Sequence, residues 1–332
     1  MQECDESTLA FLNLQPEQIL STLENLGFDC DGRLLTLNSY ENRVYKLGIE
    51  ADDPVVAKFY RPGRWSDEQI IEEHEFSAEL AAMDIPVVAP INVDGSTLHR
   101  SGYFRVSISR CWGGRAPDLD NKKLMRQLGR LIGRIHLTGE KQPFIYRDQL
   151  EPSDYGVRSA EFLLNNDFIP REMEEVYEGI TNHLFSEIEQ RFQYADDIQN
   201  IRLHGDFHCS NVLVSNEQLH IVDLDDARTG PAIQDLWMFL SGDHTEQEPQ
   251  LENLLKGYTE FRDFDARELQ LIEALRGLRI TYYAAWIARR WQDPAFQIAF
   301  PWFNSRRYWD EHILSLREQV ALMNEAPLSW LK

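Results

Sequence analysis

A chain of 332 residues is longer than a single hydrophobic core usually supports, so we expect two lobes, each with its own interior. The apolar fraction of 43% and the charged fraction of 27% are ordinary for folded proteins, which excludes disordered, collagen-like and disulfide-scaffold classes. The formal net charge of -22 repels phosphate backbones, so nucleic acid is not an expected partner.

The cysteines and the N-terminus indicate a cellular compartment. Cys4, Cys30, Cys111 and Cys209 show neither CxxC nor His/Cys ligand spacing, so we expect reduced thiols rather than zinc or disulfides. No apolar run approaches the roughly 18 residues of a membrane helix, and MQECDESTLAF is acidic where a signal peptide is basic. The sequence predicts a cytoplasmic monomer without membrane contact.

The first third of the chain predicts a helix and then a hairpin. PEQILSTLENLG, residues 16–27, has apolar residues at helical spacing between a proline and a glycine. LLTLNSYENRVYKLGI reads as two strands with a polar tip at residues 38–42. A third strand, PVVAKF, ends near Lys58.

Next, Ser66 and Gln69 form a capping box that opens a helix from about Asp67 to Met83. Further strands are predicted at PVVAPINV, residues 86–93, and at YFRVSISR, residues 103–110. The glycine pair after Cys111-Trp112 indicates a lobe boundary near Ser109. We therefore predict an N-terminal lobe over residues 1–108 and a C-terminal lobe over residues 109–332.

Helices dominate the predicted second lobe. An apolar stripe predicts a helix from about residue 124 to Gly139, and residues 173–193 predict another. Short strands are predicted at IRLH, NVLV and LHIVDL, and helices again from Asp235 onward. In LRITYYAAWIARRW, residues 278–291, the spacing favours a core-facing helix, although its arginines and tryptophans could instead bind a peptide or phosphate.

The segment RLHGDFHCSNVLVSNEQLHIVDLDDA carries the chemistry. Asp206 is followed five residues later by Asn211, and after a strand pair by Asp223. Phosphoryl transfer from ATP needs oxygen ligands for Mg²⁺ and a group aimed at the acceptor hydroxyl. The five-residue gap matches the HxDxxxxN catalytic-loop pattern, so the sequence predicts a phosphotransferase that uses ATP and Mg²⁺.

HGDFHCSN together with IVDLDDA resembles the HGDxHxxN and D-x-D motifs of the aminoglycoside phosphotransferase and choline kinase superfamily. The blocks NSYENRVY, VAKFYRP, LHGDFH, VDLDDARTGPAIQDLWM and RRWQDPAF resemble bacterial stress-response serine/threonine protein kinases more specifically. This resemblance implies an α+β, bilobal protein-kinase-like fold with an antiparallel N-lobe and a mainly helical C-lobe. It also implies transfer of the ATP γ-phosphate to a protein serine or threonine.

The resemblance assigns roles by position. Asp206 resembles the catalytic base, Asn211 and Asp223 resemble the magnesium ligands, and Lys58 resembles the lysine that holds the ATP phosphates. Ser39 stands at the position of the family's nucleotide-covering loop serine.

The sequence departs from related patterns at several points. The NSYEN loop has no glycine, Ser210 stands where relatives usually have glycine, and Leu224 stands where eukaryotic-type kinases have the DFG phenylalanine. Only eleven residues separate Asp223 from Asp235, and there is no APE sequence, so we expect no long activation loop.

Several residues near the motif have competing interpretations. Lys58 could protect a strand edge, but the downstream motif favours the ATP role. Glu73 is preferred to Glu72 as its partner, because Glu73 lies on the stripe of apolar residues in its helix. Whether Asp225 adds to the metal site is open, while Asp235 is expected to anchor the catalytic loop.

Three more side chains near the motif have structural interpretations. His204 and His208 are expected to brace the loop rather than bind magnesium, which prefers oxygen ligands. Cys209 is interpreted as a small buried filler rather than a redox sensor.

Two other functions are also consistent with the sequence. A small-molecule kinase acting on an amino alcohol or aminoglycoside would share the chemistry, and an acidic cleft would attract such cations. A nucleotide-binding scaffold without catalysis is the third reading, although all three motif positions are present.

Overall fold

A computed structural model describes residues 10–195 and 197–330. Cys4 and the acidic stretch of residues 1–9 lie outside the described residues. The described cysteines, Cys30, Cys111 and Cys209, are free thiols. Among the described residues, no helix is long and apolar enough to cross a membrane.

The chain folds as two compact units. The first unit contains the residues up to Pro117, then Phe144–Arg147 and Cys209–Asp226. The second unit contains Asp118–Pro143, Asp148–His208 and the residues from Ala227 onward. The lobe boundary after residue 108 stays a prediction. One division falls inside the HGDFHCSN motif, between His208 and Cys209.

The first unit is built on an antiparallel five-stranded sheet in the order β1-β2-β3-β5-β4. Its strands are β1 Cys30–Leu37, β2 Arg43–Ile49, β3 Asp52–Phe59, β4 His99–Ser101 and β5 Phe104–Arg110. Helix α1, Pro16–Asn25, packs its buried Ile19 and Leu23 into the core with alternate residues of the central strands. Helix α2, Asp67–Ala82, begins at the capping box of Ser66 and Gln69.

The first unit also holds a hairpin from later in the chain. Strands β7, Val212–Ser215, and β8, Gln218–Ile221, pair antiparallel, with Val212 opposite Ile221. A short 3₁₀ helix, Cys209–Asn211, precedes β7, and another, Leu224–Asp226, follows Asp223. The hairpin therefore brings the chain from Asn211 back to Asp223.

The second unit is helical apart from strands β6, Ile201–Leu203, and β9, Arg228–Gly230, which pair with each other. Its helices are α3 Lys122–Gly139, α4 Arg158–Asn165, α5 Glu174–Tyr194, α6 His244–Tyr258, α7 Ile272–Arg289, α8 Pro294–Ala299 and α9 Arg306–Met323. Helix α7 buries Leu275, Leu278, Ala285 and Ala288, so its predicted core-facing role is confirmed.

Most predicted elements are confirmed within a few residues. One predicted strand is wrong, because residues 86–93 form only isolated β-bridges, at Val87, Pro90 and Val93. Pro86 and Pro90 lack the N–H that a continuous ladder needs, which explains the failure. Helix α4 was not predicted; it follows a π-helical turn, Ser153–Val157, and has no side-chain N-cap to reveal it.

Helices α3 and α6 approach closely at glycines. A Cβ added at Gly129 would lie 1.9 Å from the carbonyl oxygen of Leu254. Gly129→Ala should therefore destabilise the protein by about 1–3 kcal/mol, because a rigid backbone atom must move. Urea unfolding followed by circular dichroism measures this change.

A matched control exists in α5, where a Cβ at Gly179 would meet no atom within 4 Å. Gly179→Ala should be neutral or stabilise by about 0.5–1 kcal/mol, since alanine is the better helix former. Equal unfolding midpoints for the two variants would contradict the close packing of α3 against α6.

Candidate active site

Lys58 lies on the central strand β3. Because side chains alternate along a strand, Ala57 and Phe59 enter the core while Lys58 projects from the other face. Strand β3 is paired on both sides, with β2 and with β5, so Lys58 does not protect a strand edge. Its direction is set by the sheet register.

The Lys58 ammonium lies between two carboxylates. Its Nζ is 2.9 Å from Asp223 Oδ1 and 3.0 Å from Asp225 Oδ1. Burial would lower the pKa of Lys58, but the negative charges of Asp223 and Asp225 raise it well above its usual value. Lys58 is therefore a permanent cation beside the predicted metal ligand.

Asp223 has an unusual backbone. Its φ of 63° lies in the left-handed region, which a non-glycine residue adopts at a cost of about 1–3 kcal/mol. The preceding amide, Val222 N, donates to Asn211 O over 3.1 Å. This conformation leaves the Asp223 side chain 54% exposed at the end of the hairpin.

The oxygen donors at this end of the hairpin fit a magnesium ion. Asn211 offers an amide oxygen and Asp223 a carboxylate, and Mg²⁺ takes one or two such protein ligands while phosphates and water supply the rest. Among the described residues, no group of three or more His, Cys, Asp or Glu is placed to hold a metal. The roles of Asn211 and Asp223 as magnesium ligands stay a prediction.

Asp225 is enclosed by cations. It is only 3% exposed, and it binds Lys58, the guanidinium of Arg64 and the Asn42 amide, whose Nδ2 lies 3.1 Å away. Burial would raise its pKa, but the charges of Lys58, Arg64 and Arg147 bring it well below the usual range. These contacts favour a counter-charge role for Asp225.

Arg147, which the sequence analysis missed, braces the same turn. Its Nη2 donates to the Asp225 carbonyl over 2.5 Å, and its guanidinium lies 4.0 Å from the Trp65 ring centroid. Glu72 fixes this segment from α2, because its carboxylate accepts the backbone N–H groups of residues 145–147. Glu72 therefore organises backbone and does not contact Lys58.

Glu73 lies on the buried face of α2, as its position in the apolar stripe predicted. Ser77 Oγ donates to it over 3.0 Å. Burial raises the pKa of Glu73 to about 7, against the lowering effect of the Lys58 charge. Among the described residues, the ion pairs of Lys58 are with Asp223 and Asp225 and not with Glu73. A direct nucleotide-binding role for Glu73 stays a prediction.

The loop between β1 and β2 is held by side chains instead of glycine. Ser39 is half-buried in this loop. Glu41 pairs with Arg61 at 3.1 Å, and Asn42 Oδ1 accepts the Arg61 N–H at 3.0 Å. The role of Ser39 at a nucleotide stays a prediction.

In the second unit, Asp206 follows β6. Arg279 Nη1 of helix α7 lies 2.5 Å from Asp206 Oδ1, and His208 Nε2 lies 3.4 Å from Oδ2. Burial would raise the pKa of Asp206, but the His208 hydrogen bond and the Arg279 charge bring it well below the usual range. Asp206 is thus an ionised acceptor throughout the neutral pH range.

Asp235 fixes the backbone of the Asp206 loop. Its fully buried carboxylate accepts His204 N at 2.7 Å and Gly205 N at 2.9 Å. His136 Nε2 lies 3.1 Å from the same carboxylate. The expected anchoring role of Asp235 is confirmed. The His204 ring is buried and stacks on Phe207 with centroids 4.4 Å apart, as a bracing residue should.

Sequence reasoning missed Arg64 and Arg279 as well as Arg147. Arg64 and Asp225 are 161 positions apart, and Arg279 and Asp206 are 73 positions apart. The only local signal for Arg64 was its place in YRPGRW, where it lies five residues after β3 ends at Phe59. Such partners become visible only when the fold brings distant segments together.

Comparisons with known proteins identify the family. Residues 34–272 match the model of the phosphotransferase enzyme family. The chain is similar to stress response kinase A of Escherichia coli strain K12, with 41% identity over 326 residues that cover 98% of each chain. It is equally similar, at 41% identity over 324 residues and 98% of each chain, to the serine/threonine protein kinase RdoA of Salmonella typhimurium.

Solved structures share the fold. A complex of amicoumacin kinase hAmiN with AMP-PNP, Ca²⁺ and Ami has a TM-score of 0.73 at 16% identity, covering 97% of each chain. A microcompartment-associated aminopropanol kinase has a TM-score of 0.66 at 17% identity, covering 92% of this chain and 96% of its own. The predicted α+β kinase-like fold is confirmed. The chain belongs to the phosphotransferase enzyme family and is an ATP-dependent phosphotransferase.

Proposed function

We propose that the chain is a Mg²⁺-dependent serine/threonine protein kinase of a bacterial stress response, which transfers the ATP γ-phosphoryl group to a protein hydroxyl. The observation that carries this proposal is the full-length similarity to bacterial relatives whose names describe such kinases. In this proposal the chain acts as a cytoplasmic monomer, with an ATP-binding lobe over residues 1–108 and a catalytic lobe over residues 109–332.

In this proposal Asp223 and Asn211 hold the metal and Lys58 binds the ATP phosphates. A bound Mg²⁺ ion would neutralise the triphosphate and stabilise the charge that develops during transfer. Asp225 keeps Lys58 aimed at this region from a buried position that Arg64 and Arg147 secure.

Asp206 acts on the acceptor. Its ionised carboxylate accepts a hydrogen bond from the serine or threonine hydroxyl and so orients the oxygen for in-line attack. Because its pKa is low, Asp206 is a weak base that receives the proton late, as the new P–O bond forms and the bond to ADP breaks. The proton then passes to solvent.

The Arg279 guanidinium argues for a protein acceptor over an amino alcohol. It contacts the carboxylate that would receive the hydroxyl, so a cationic ammonium on a small acceptor would meet a like charge there. A peptide serine carries no such charge next to its hydroxyl. The overall charge of -22 still leaves an amino-alcohol kinase as the rival that must be tested.

Replacing the proposed base tests its role. Asp206→Asn should lower kcat by about 10²- to 10⁴-fold, because the amide cannot take the hydroxyl proton. Initial rates with labelled ATP and a protein substrate measure the loss. Asp197→Asn, an exposed aspartate in the same unit, is the control and should keep full activity. A near-normal rate for Asp206→Asn would remove Asp206 from the mechanism.

The pH profile tests the Arg279 contact. The Arg279 charge helps to lower the pKa of Asp206, whereas burial raises it, so Arg279→Gln should raise that pKa. Activity requires the ionised base, so the acid limb of kcat/KM should move to higher pH in the variant. Rates from pH 4 to 8 measure this shift, with Arg307→Gln as a surface control. An acid limb that stays in place would show that Arg279 does not tune Asp206.

The acceptor class can be decided directly. The enzyme should phosphorylate serine and threonine residues of proteins in a cell lysate, and it should leave a panel of amino alcohols and aminoglycosides unphosphorylated. Labelled ATP followed by mass spectrometry identifies the products, and reactions with EDTA test the metal requirement. Transfer confined to an amino alcohol would replace the protein-kinase assignment, and ATP binding without any turnover would indicate a scaffold.

A further inference from the structure

Lys58 has a further neighbour besides the two aspartates, which is the ring of Tyr60. Tyr60 directly follows strand β3, and its backbone N–H donates to Arg105 O of β5 over 3.0 Å, so the extended pairing continues through it. Residues two positions apart in an extended chain lie on one face of the sheet. The Lys58 Nζ lies 5.2 Å from the centroid of the Tyr60 ring, a distance at which an ammonium is attracted to an aromatic face.

The orientation of the Tyr60 ring is fixed by hydrogen bonds of its hydroxyl. Tyr60 Oη lies 2.8 Å from His74 Nε2 of α2 and 3.0 Å from Ser107 Oγ of β5. On the other side of the His74 ring, Nδ1 lies 2.9 Å from Thr97 Oγ1. Because Tyr60, His74 and Ser107 are buried, each of these polar groups needs its partner within the protein. We call these four residues the Tyr60 network.

The His74 ring is neutral, which suits its place in the Tyr60 network. Burial and the nearby Lys58 charge lower the pKa of His74 to about 3. A neutral imidazole has one N–H donor and one acceptor nitrogen, so it can bond to a hydroxyl on each side. The network therefore fixes the ring that faces the Lys58 ammonium without placing a second positive charge beside it.

Tyr60 and the two aspartates differ in what nucleotide binding would do to them. In the proposed function Asp223 holds a magnesium ion, so Lys58 loses one of its two carboxylate partners when ATP binds. The Asp223 side chain is 54% exposed, whereas Asp225 and Tyr60 are each 3% exposed. The buried Asp225 carboxylate and the Tyr60 ring are therefore the contacts that remain to hold Lys58 at the phosphates.

We propose that Tyr60 is a positioning residue for Lys58, and that His74 connects helix α2 to that lysine through Tyr60. The inference rests on the proposed function, in which Lys58 binds the ATP phosphates. Tyr60 acts on ATP through the ammonium, because its own hydroxyl is bonded inside the protein. Among the described residues, Glu73 of the same helix makes no ion pair with Lys58, so the connection from α2 runs through hydrogen bonds and a ring.

Binding of Mg-ATP tests the role of the ring without any acceptor. Tyr60→Leu removes the ring and should raise the Kd for Mg-ATP by about tenfold, because a desolvated cation–π contact is lost. Tyr60→Phe keeps the ring and loses only the hydroxyl bonds, so its Kd should rise less. Isothermal titration calorimetry measures both values. A wild-type Kd for Tyr60→Leu would overturn the proposal.

Tyr45→Leu is the matched control. Tyr45 is a buried tyrosine of β2 that packs in the core, with its ring edge-on to Phe59 at 5.9 Å between centroids. This variant should lower the midpoint of urea unfolding, as Tyr60→Leu does, and should keep the wild-type Kd for Mg-ATP. An equal rise in Kd for the two variants would show that Tyr60 contributes only to stability, against the proposal.

The far end of the Tyr60 network provides a milder test, which applies even if Tyr60→Leu does not fold. Thr97→Val removes the bond to His74 Nδ1 and changes the shape of a half-buried side chain little. It should raise the Kd for Mg-ATP by about two- to threefold, as expected for the loss of one hydrogen bond. An unchanged Kd would contradict the connection through His74.

A double-mutant cycle separates this inference from the proposed function. Lys58→Met should itself weaken Mg-ATP binding, and adding Tyr60→Leu should then cause no further rise in Kd, because Tyr60 acts through the ammonium. Additive losses would refute the positioning role of Tyr60 and leave the nucleotide role of Lys58 intact. If Lys58→Met binds Mg-ATP as tightly as wild type, the proposed role of Lys58 fails and the inference about Tyr60 fails with it.

Discussion

The ammonium of Lys58, whose side chain is 16% exposed, is the charge around which the first unit is organised. Removing an ion from water costs of the order of several kcal/mol, which only well-placed opposite charges offset. The carboxylates of Asp223 and Asp225 supply these opposite charges, at 2.9 and 3.0 Å from the Lys58 Nζ. Each carboxylate is held in place by a different part of the unit. Arg64 and Arg147 secure Asp225, while the β7–β8 hairpin carries Asp223. The strand, the turn and the hairpin therefore depend on one another.

The second unit keeps a partly buried acid, Asp206, in its ionised form. Arg279 and His208 supply the favourable interactions, and Asp235 fixes the backbone that carries Asp206. Burial makes each of these contacts stronger than it would be in water. A loop with few regular elements thus becomes a rigid support through side-chain hydrogen bonds to its amides.

Local signals explain what the sequence could predict. The Ser66–Gln69 capping box and the spacing of Asp206 and Asn211 involve neighbours in the chain, so both could be read directly. The strand predicted at residues 86–93 was wrong, because its β-branched residues are typical of a strand but two prolines interrupt the pairing. The arginines that hold the aspartates were missed because their partners are 73 to 161 positions away, beyond any pattern of periodicity or spacing.

The glycine-free loop between β1 and β2 has a thermodynamic consequence. Asn42 joins it to Asp225, and Glu41 joins it to Arg61, so much of its conformational entropy is already lost in the free protein. A glycine-rich loop must lose that freedom when a nucleotide binds, whereas a preorganised loop contributes more of its contact energy to affinity. The same tether makes the loop's shape dependent on the charge of Asp225, because the Asn42 amide donates to that carboxylate.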